Sequence, residues 1–235
     1  MIELGSEATV EINPVGEEET KVIVVDGFVR NVDALKNSAC EISGYTPDGK
    51  TSYPGVRAIL PGEYVDLVVQ FSVPLLRREF DIPENVTFNV TMAYFSLLTV
   101  TEKYLSVPQR LPHFDTTKKH YYAVLHYLND GDFGGTGFFR HIPTGFEKVD
   151  NARKDLYKQS VLSFMAIRGV PDPAYIGESS AQFKCYSKVK YKSNRLVIYP
   201  GNLLHCGLLS ESQDVCADPR KGRLTASIFI DFDAE

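Results

Sequence analysis

The chain has no tryptophan, three methionines and only four cysteines. Cys40, Cys185, Cys206 and Cys216 stand at wide, irregular spacings with no Cys-x-x-Cys pair, which removes zinc-knuckle and dithiol redox readings. The N-terminus carries neither the basic nor the apolar segment of an export signal, so reduced thiols are expected, with Cys206 a small buried hydrophobe. No run approaches the about eighteen apolar residues that a membrane-spanning helix needs, and the sequence reads as soluble, cytoplasmic and without a membrane partner. Lys and Arg number 25 against 30 Asp and Glu, a net charge of −5. No basic cluster is long enough to follow a phosphate backbone, so nucleic acid is not an expected partner. The chain also lacks a Gly-x-Ser-x-Gly elbow, a Gly-x-x-x-x-Gly-Lys phosphate loop and a second acid near Asp115. These absences argue against a serine hydrolase, a nucleotide cradle and paired-carboxylate hydrolysis.

What remains is a chain of 235 residues, 43% hydrophobic and 11% aromatic, enough to bury a sizeable core in one domain of the larger kind. The first twenty residues carry Glu3, Glu7, Glu11, Glu17, Glu18 and Glu19 and are expected to be loosely held. A β-branched strand is expected over 22–28, and a helix over about 32–42 capped by Asn31, with Val32, Leu35 and Ala39 on one face. A loop is expected over 44–56, and a helix over 63–80 in which Pro74 is a kink or a stop. From Val86 onward short runs rich in Val, Thr, Tyr, Phe and Ile recur between turns: 86–100, 121–129, 136–140, 161–168, 183–190, 194–199 and 223–232. Gly134-Gly135-Thr136 is expected to be a tight connection that uses glycine at positive φ. The fold class is therefore mainly β with flanking helices: an α/β flank over 1–85 and an antiparallel core over 86–235, folding as one unit.

Within the core, His113-Phe114-Asp115 is the most informative tripeptide. Residues i and i+2 of a strand share a face, so His113 and Asp115 can grip one ion while Phe114 turns into packing. His205, ninety-two residues on, can bring a third donor from another strand. Two imidazoles and one carboxylate occupy one face of an octahedron and leave the opposite face open, the arrangement of non-heme Fe(II) oxygenases. In the run from Arg223 to Phe232, alternation puts Arg223, Thr225 and Ser227 on one face and Leu224, Ala226, Ile228 and Ile230 on the other. Such a polar face suits a strand lining a polar cavity. In the run from Tyr121, alternation places Ala123, Leu125 and Tyr127 inward together and turns His126 away as a packing or surface histidine. His120 and His141 are expected to face solvent.

Three blocks resemble the 2-oxoglutarate/Fe(II)-dependent oxygenase superfamily, particularly its prolyl-hydroxylase-like branch. They are Arg110-Leu111-Pro112-His113-Phe114-Asp115; Tyr122 to Asn129 followed by Gly134-Gly135-Thr136; and Asn194 to His205 followed by Arg223-Leu224-Thr225-Ala226-Ser227. The resemblance implies a double-stranded β-helix, a jelly-roll or cupin-like barrel, over about 95–232. It implies Fe(II) on His113, Asp115 and His205, with O2 and 2-oxoglutarate as co-substrates. It also implies Arg223 on the far carboxylate of 2-oxoglutarate, with help from the Tyr127 phenol and a hydroxyl of Thr225 or Ser227. Arg223 stands eighteen residues after His205, longer than is usual in the family, which implies an inserted loop at about 209–222 and leaves Arg220 and Lys221 as rivals. The activity implied is hydroxylation of a small molecule, amino acid or peptide, with 2-oxoglutarate decarboxylated to succinate. Two other readings stand beside it: a cupin-like metal enzyme that does not use 2-oxoglutarate, and a non-catalytic binding barrel. A homodimer through the helical face is compatible with the sequence, which does not demand one.

Overall fold

The computed structural model describes residues 2–47 and 51–232; positions 48–50 of the stretch read as a loop lie outside the described residues. In chain order the elements are β1 (Thr9–Val15), β2 (Thr20–Asp26), α1 (Val32–Glu41), β3 (Thr46–Pro47), β4 (Gly55–Ile59), α2 (Gly62–Phe80), β5 (Asn89–Leu98), β6 (Tyr121–Tyr127), β7 (Thr136–His141), α3 (Lys154–Arg168), β8 (Phe183–Val189), β9 (Arg195–Pro200), β10 (His205–Gly207), α4 (Glu211–Asp214) and β11 (Leu224–Asp231). Among the described residues the strands form two antiparallel sheets. The larger has the order β1-β2-β9-β6-β11-β5-β4-β3 and the smaller β10-β7-β8.

The larger sheet separates two different environments. Val25, Tyr122, Val124, Leu196, Ile198, Ala226 and Ile228 point to one side and pack with Leu35 and Ala39 of α1 and Tyr64, Val68 and Leu76 of α2. Those spacings of four and eight residues put the apolar side chains of each helix on one stripe facing the sheet. Asn31 caps α1 by accepting from the Ala34 N–H at 3.1 Å. α2 runs through Pro74 without stopping and ends at Asp81, whose left-handed φ of 54° closes the last turn on the Arg77 carbonyl. On the other side Ala123, Tyr127, Val197 and Tyr199 pack against Phe138 of the smaller sheet.

Four expectations are corrected. Residues 161–168 are the second half of α3; a run of apolar residues with mixed spacing does not by itself distinguish strand from helix. The acidic N-terminal segment is ordered: β1 pairs with β2 over seven residues, and the turn between them donates the Glu17 and Glu18 N–H groups to the buried Glu147 carboxylate. His141 is fully buried, bonded to the Thr144 hydroxyl and Gln182. Gly134 and Gly135 do not adopt positive φ; each is needed because a Cβ would fall about 2 Å from a carbonyl oxygen, of Leu208 and Val189 respectively.

Candidate metal centre

β10 begins with His205, and the short extended segment before β6 bridges to it. The His113 N–H donates to the His205 carbonyl at 2.9 Å and the His205 N–H to the His113 carbonyl at 2.8 Å, so a fourth strand-like segment joins the edge of the smaller sheet. Two residues on, the Asp115 N–H donates to the Gly201 carbonyl at 2.7 Å, which fixes the carboxylate from the β9–β10 turn. The alternation expected of His113 and Asp115 is present, and Phe114 turns away to pack edge-on against Tyr157 of α3.

His113, Asp115 and His205 each offer one ligand atom, and these atoms lie within 4.8 Å of one another. His113 Nε2 is 3.9 Å from Asp115 Oδ1, and His205 Nε2 is 3.8 Å from Asp115 Oδ2. Both separations are too long for hydrogen bonds. The His205 ring is oriented by its other nitrogen: Nδ1 lies 2.8 Å from the Leu203 carbonyl, which can only accept, so Nδ1 carries the proton and the Nε2 lone pair faces the carboxylate. Tyr199 holds the ring edge-on at 4.7 Å, and the His113 ring lies 4.5 Å away. The cluster opens towards solvent at His113, whose side chain is 54% exposed against 6% for His205.

Burial pushes His205 down to about 4, so its ring is a neutral donor at pH 7. Burial pushes Asp115 up to about 6, against the lowering influence of His113 and Arg57. A carboxylate that is costly to ionise, set beside the His205 lone pair and the His113 ring, fits a cation, and a divalent ion fits this donor set.

The residues assigned to the co-substrate lie on the sandwich face of the larger sheet. Register places Thr225 opposite both Ser96 and Tyr127, and Ser227 opposite Tyr94 and Leu125. The Tyr127 hydroxyl meets the Thr136 hydroxyl at 2.7 Å, and the Tyr127 ring stacks on Tyr191 at 4.6 Å. Arg223 is buried over both rings, its Cζ 5.7 Å and 5.8 Å from their centres. Its Nε donates to the Gly134 carbonyl at 2.8 Å and lies 3.8 Å from Asp214 Oδ1. Asp214 comes from α4, inside the inserted stretch; its carboxylate accepts the Gly134 N–H at 2.7 Å and the Ser210 N–H at 2.8 Å. The insert thus sets a buried carboxylate behind Arg223, and nothing in the sequence spacing announced it. Sequence reasoning also missed Arg57, which sits opposite Ser96 on this same face in β4, a strand whose first two residues fall at the end of the stretch read as a loop. The alternation in Gly55-Val56-Arg57-Ala58 was the available signal, with Gly55 and Ala58 buried and Val56 and Arg57 half-buried.

A sequence profile described as a family of unknown function, DUF6445, matches residues 6–230. The chain is a DUF6445 protein. No curated protein matches it. Among solved structures it is similar to HygX from Streptomyces hygroscopicus with nickel and 2-oxoglutarate bound: 13% identity over 91% of this chain and 83% of that one, TM-score 0.50. HygX with nickel, 2-oxoglutarate and hygromycin B bound aligns at 13% identity over 97% and 82% of the two chains, TM-score 0.46. HygX with iron bound aligns at 11% identity over 91% and 82%, TM-score 0.45. This DUF6445 protein therefore shares the HygX fold. Its described residues contain no helix long and apolar enough to cross a membrane. A cleft of about 510 Å³ lies outside the metal cluster, lined by Pro112, Phe139, Phe164 and Gln182, and adjoins the cluster through Pro112.

Proposed function

We propose that this DUF6445 protein is a non-heme Fe(II)- and 2-oxoglutarate-dependent oxygenase, a hydroxylase of a small molecule, amino acid or peptide. The convergence of His113, Asp115 and His205, with the lone pair of His205 turned towards Asp115 by the Leu203 carbonyl, carries the reading. Three support it further: the strand order β9-β6-β11-β5 facing β8-β7-β10, which fits a double-stranded β-helix; the fold likeness to a protein solved with nickel and 2-oxoglutarate; and the motif order that resembles the prolyl-hydroxylase-like branch. Iron bound here would supply O2 activation coupled to decarboxylation of the 2-oxo acid. His113, Asp115 and His205 would hold it by one face, leaving the other for co-substrates. A carboxylate in this position, in place of a small residue, leaves no vacancy for a halide and favours hydroxylation over halogenation. Arg223 presents a planar, permanently charged fork to the distal carboxylate, and Gly134 and Asp214 fix its orientation. The Tyr127 and Thr225 hydroxyls share its face, with Ser227 one step along β11.

One observation favours a second reading. Asp214 already faces Arg223, so a metal enzyme of cupin type that does not use 2-oxoglutarate would leave this pair intact. Anaerobic titration with Fe(II) and 2-oxoglutarate separates the two. The visible charge-transfer band of a chelated 2-oxo acid is expected in wild type, absent in His205→Ala and weakened in Arg223→Ala. Iron-loaded wild type with no band would end the 2-oxoglutarate reading in favour of the second.

A further inference from the structure

The larger sheet is covered unevenly on its sandwich face. The smaller sheet meets it from the β1–β2 hairpin to β6: Arg140 pairs with Glu17, Phe138 packs edge-on against Tyr199 at 5.4 Å, and the Thr136 hydroxyl meets that of Tyr127. The segment that carries His113 and Asp115 adds a last strand-like edge and comes to rest, through Gly201, against Tyr121 at the start of β6. The strip beyond, across β11, β5 and β4, is left open. Register sets Met92 opposite Phe229, Tyr94 opposite Ser227 and Ile59 opposite Tyr94, all on the face that carries Thr225. Met92, Tyr94 and Phe229 are half-buried, and Ile59 is 76% exposed. The helix side of the same strands is closed, with Ala58, Phe95, Ala226 and Ile228 buried there. Met92, Tyr94 and Ile59 join none of the buried apolar clusters among the described residues.

A contiguous apolar strip left open beside a reaction centre has the composition of a ligand groove. This strip adjoins the metal cluster. The Phe229 ring lies 5.8 Å from that of Tyr121, and a Cβ on Gly201 would lie 2.7 Å from the Tyr121 ring and 3.4 Å from Asp115 Oδ2. His205 points into the same gap between the sheets, because it is the register partner of Phe138 and its ring lies against Tyr199. The cleft of about 510 Å³ does not share this access: it lies on the far side of the smaller sheet, where Phe139 and Phe183 pack with Leu204 and Cys206. We propose that Met92, Tyr94, Phe229 and Ile59 form the floor on which the molecule to be oxidised lies, and that this molecule presents an uncharged apolar body to it. Strands about 4.8 Å apart, with alternate residues about 6.7 Å apart, make a floor of about 10 Å by about 7 Å, the footprint of a small ring system. Two aromatic faces, a thioether and a branched side chain receive hydrocarbon of varied shape and carry no charge to pair with an ion. Along β11 the lining changes from Arg223, Thr225 and Ser227 to Phe229, so its polar end suits a dicarboxylate and its apolar end a hydrocarbon body. The role of the bound molecule as substrate rests on the oxygenase reading; the apolar floor beside the metal does not.

The test uses full-length protein loaded with Mn(II) under anaerobic conditions, with the Zn(II) protein as diamagnetic baseline. Two uncharged fluorine probes are added in turn, 4-fluorobenzyl alcohol with an apolar ring and 2-deoxy-2-fluoroglucose with a polar one, and the relaxation of each 19F signal by the bound Mn(II) is measured. Wild type is compared with Ile59→Asp, Tyr94→Asn and, as a control for unspecific apolar binding, Ile167→Asp on α3, a position 80% exposed. The ring probe should be relaxed in wild type and in Ile167→Asp, and at least about fivefold less in Ile59→Asp and Tyr94→Asn, with the sugar little affected throughout. A ring probe unrelaxed in wild type, relaxed equally in all four proteins, or matched by the sugar overturns the floor. Ile59 is mostly exposed, so Ile59→Asp keeps a folding defect out of the answer. Calorimetric titration of 2-oxoglutarate into the same Mn(II) samples separates the two readings. Failure to bind 2-oxoglutarate with the ring probe still relaxed ends the oxygenase reading and leaves the floor; 2-oxoglutarate bound with the ring probe unrelaxed does the opposite.

Discussion

His126 and His205 are both buried in this sandwich, and burial pushes both down to about 4, yet they occupy opposite sides of the larger sheet and are finished differently. His126 faces the helices. Its Nδ1 accepts from the Tyr64 hydroxyl at 2.8 Å and its Nε2 donates to Asn194 Oδ1 at 3.1 Å, while Phe28 closes on it edge-on at 5.3 Å. Every polar atom of the ring is used. His205 has one nitrogen bonded to Leu203 and holds the other 3.8 Å from a carboxylate, which is too far to bond. Burial and a depressed pKa therefore do not distinguish a structural histidine from a ligand. The nitrogen left over does.

The largest effect expected from breaking this contrast is on metal binding. His205→Ala removes a donor outright, and its loss should exceed the 10–100-fold seen when only an outer partner of a ligand is lost. Fe(II) or Ni(II) affinity measured by calorimetry should fall at least about 100-fold, with little change in the apo melting temperature. His126→Ala should do the reverse. It strands the Tyr64 hydroxyl in the core, while Asn194 Oδ1 keeps the Val29 N–H, and opens a cavity, for about 2–4 kcal/mol of stability in urea unfolding, with metal affinity of the folded protein unchanged. If His126→Ala weakened metal binding as much as His205→Ala, the contrast would collapse.

Acid should act on the buried structural ring through stability. Above about pH 6.5 His126 is neutral in the folded and unfolded chain alike. Below that the unfolded chain takes up a proton that the folded chain refuses until about pH 4. The unfolded state then binds more protons, so stability falls as pH falls, by up to about 1.4 kcal/mol per pH unit across that window from this ring. Urea midpoints of apo wild type and His126→Gln, measured from pH 7 to 4.5, should converge as the acid penalty disappears from the variant. Parallel profiles would mean that the ring is not held neutral by its surroundings.

How much of this the sequence discloses follows from the range of each interaction. His113 and Asp115 were legible because strand alternation is local, and their shared face needs only two residues. The polar alternation of Arg223, Thr225 and Ser227 was legible for the same reason, as was the turn of His126 away from Tyr127, though its complete burial was not. Residues 161–168 were misread because an apolar run carries no period of its own, and the helix begins upstream at Lys154. The places of Asp214 beside Arg223 and of Arg57 beside Ser96 were invisible: what sets them is pairing across 80 positions to Gly134 in one case and the β4–β5 register in the other. Contacts of that span leave no periodic trace in a single chain.

The smallest expected effect tests how the carboxylate of the cluster is placed, and it turns on a hydrogen atom. Gly201 binds both neighbours by its backbone, accepting the Asp115 N–H and donating to the Tyr121 carbonyl, each at 2.7 Å. A Cβ there would lie 2.7 Å from Tyr121 Cδ1 and 3.4 Å from both Cβ and Oδ2 of Asp115. The Tyr121 ring has little room to retreat, because its hydroxyl is bonded to Thr91 at 3.0 Å and its face lies against Phe229. The turn must move instead, and Asp115 moves with it, while His205 keeps its own bond to Leu203. Gly201→Ala should therefore weaken metal binding by about tenfold, in the range of a displaced rather than a deleted ligand, and cost about 1–3 kcal/mol of stability from overpacking. Full metal affinity in a destabilised Gly201→Ala would mean that the carboxylate finds the ion without the turn, and that the position of Asp115 is set by the ion and not by the fold.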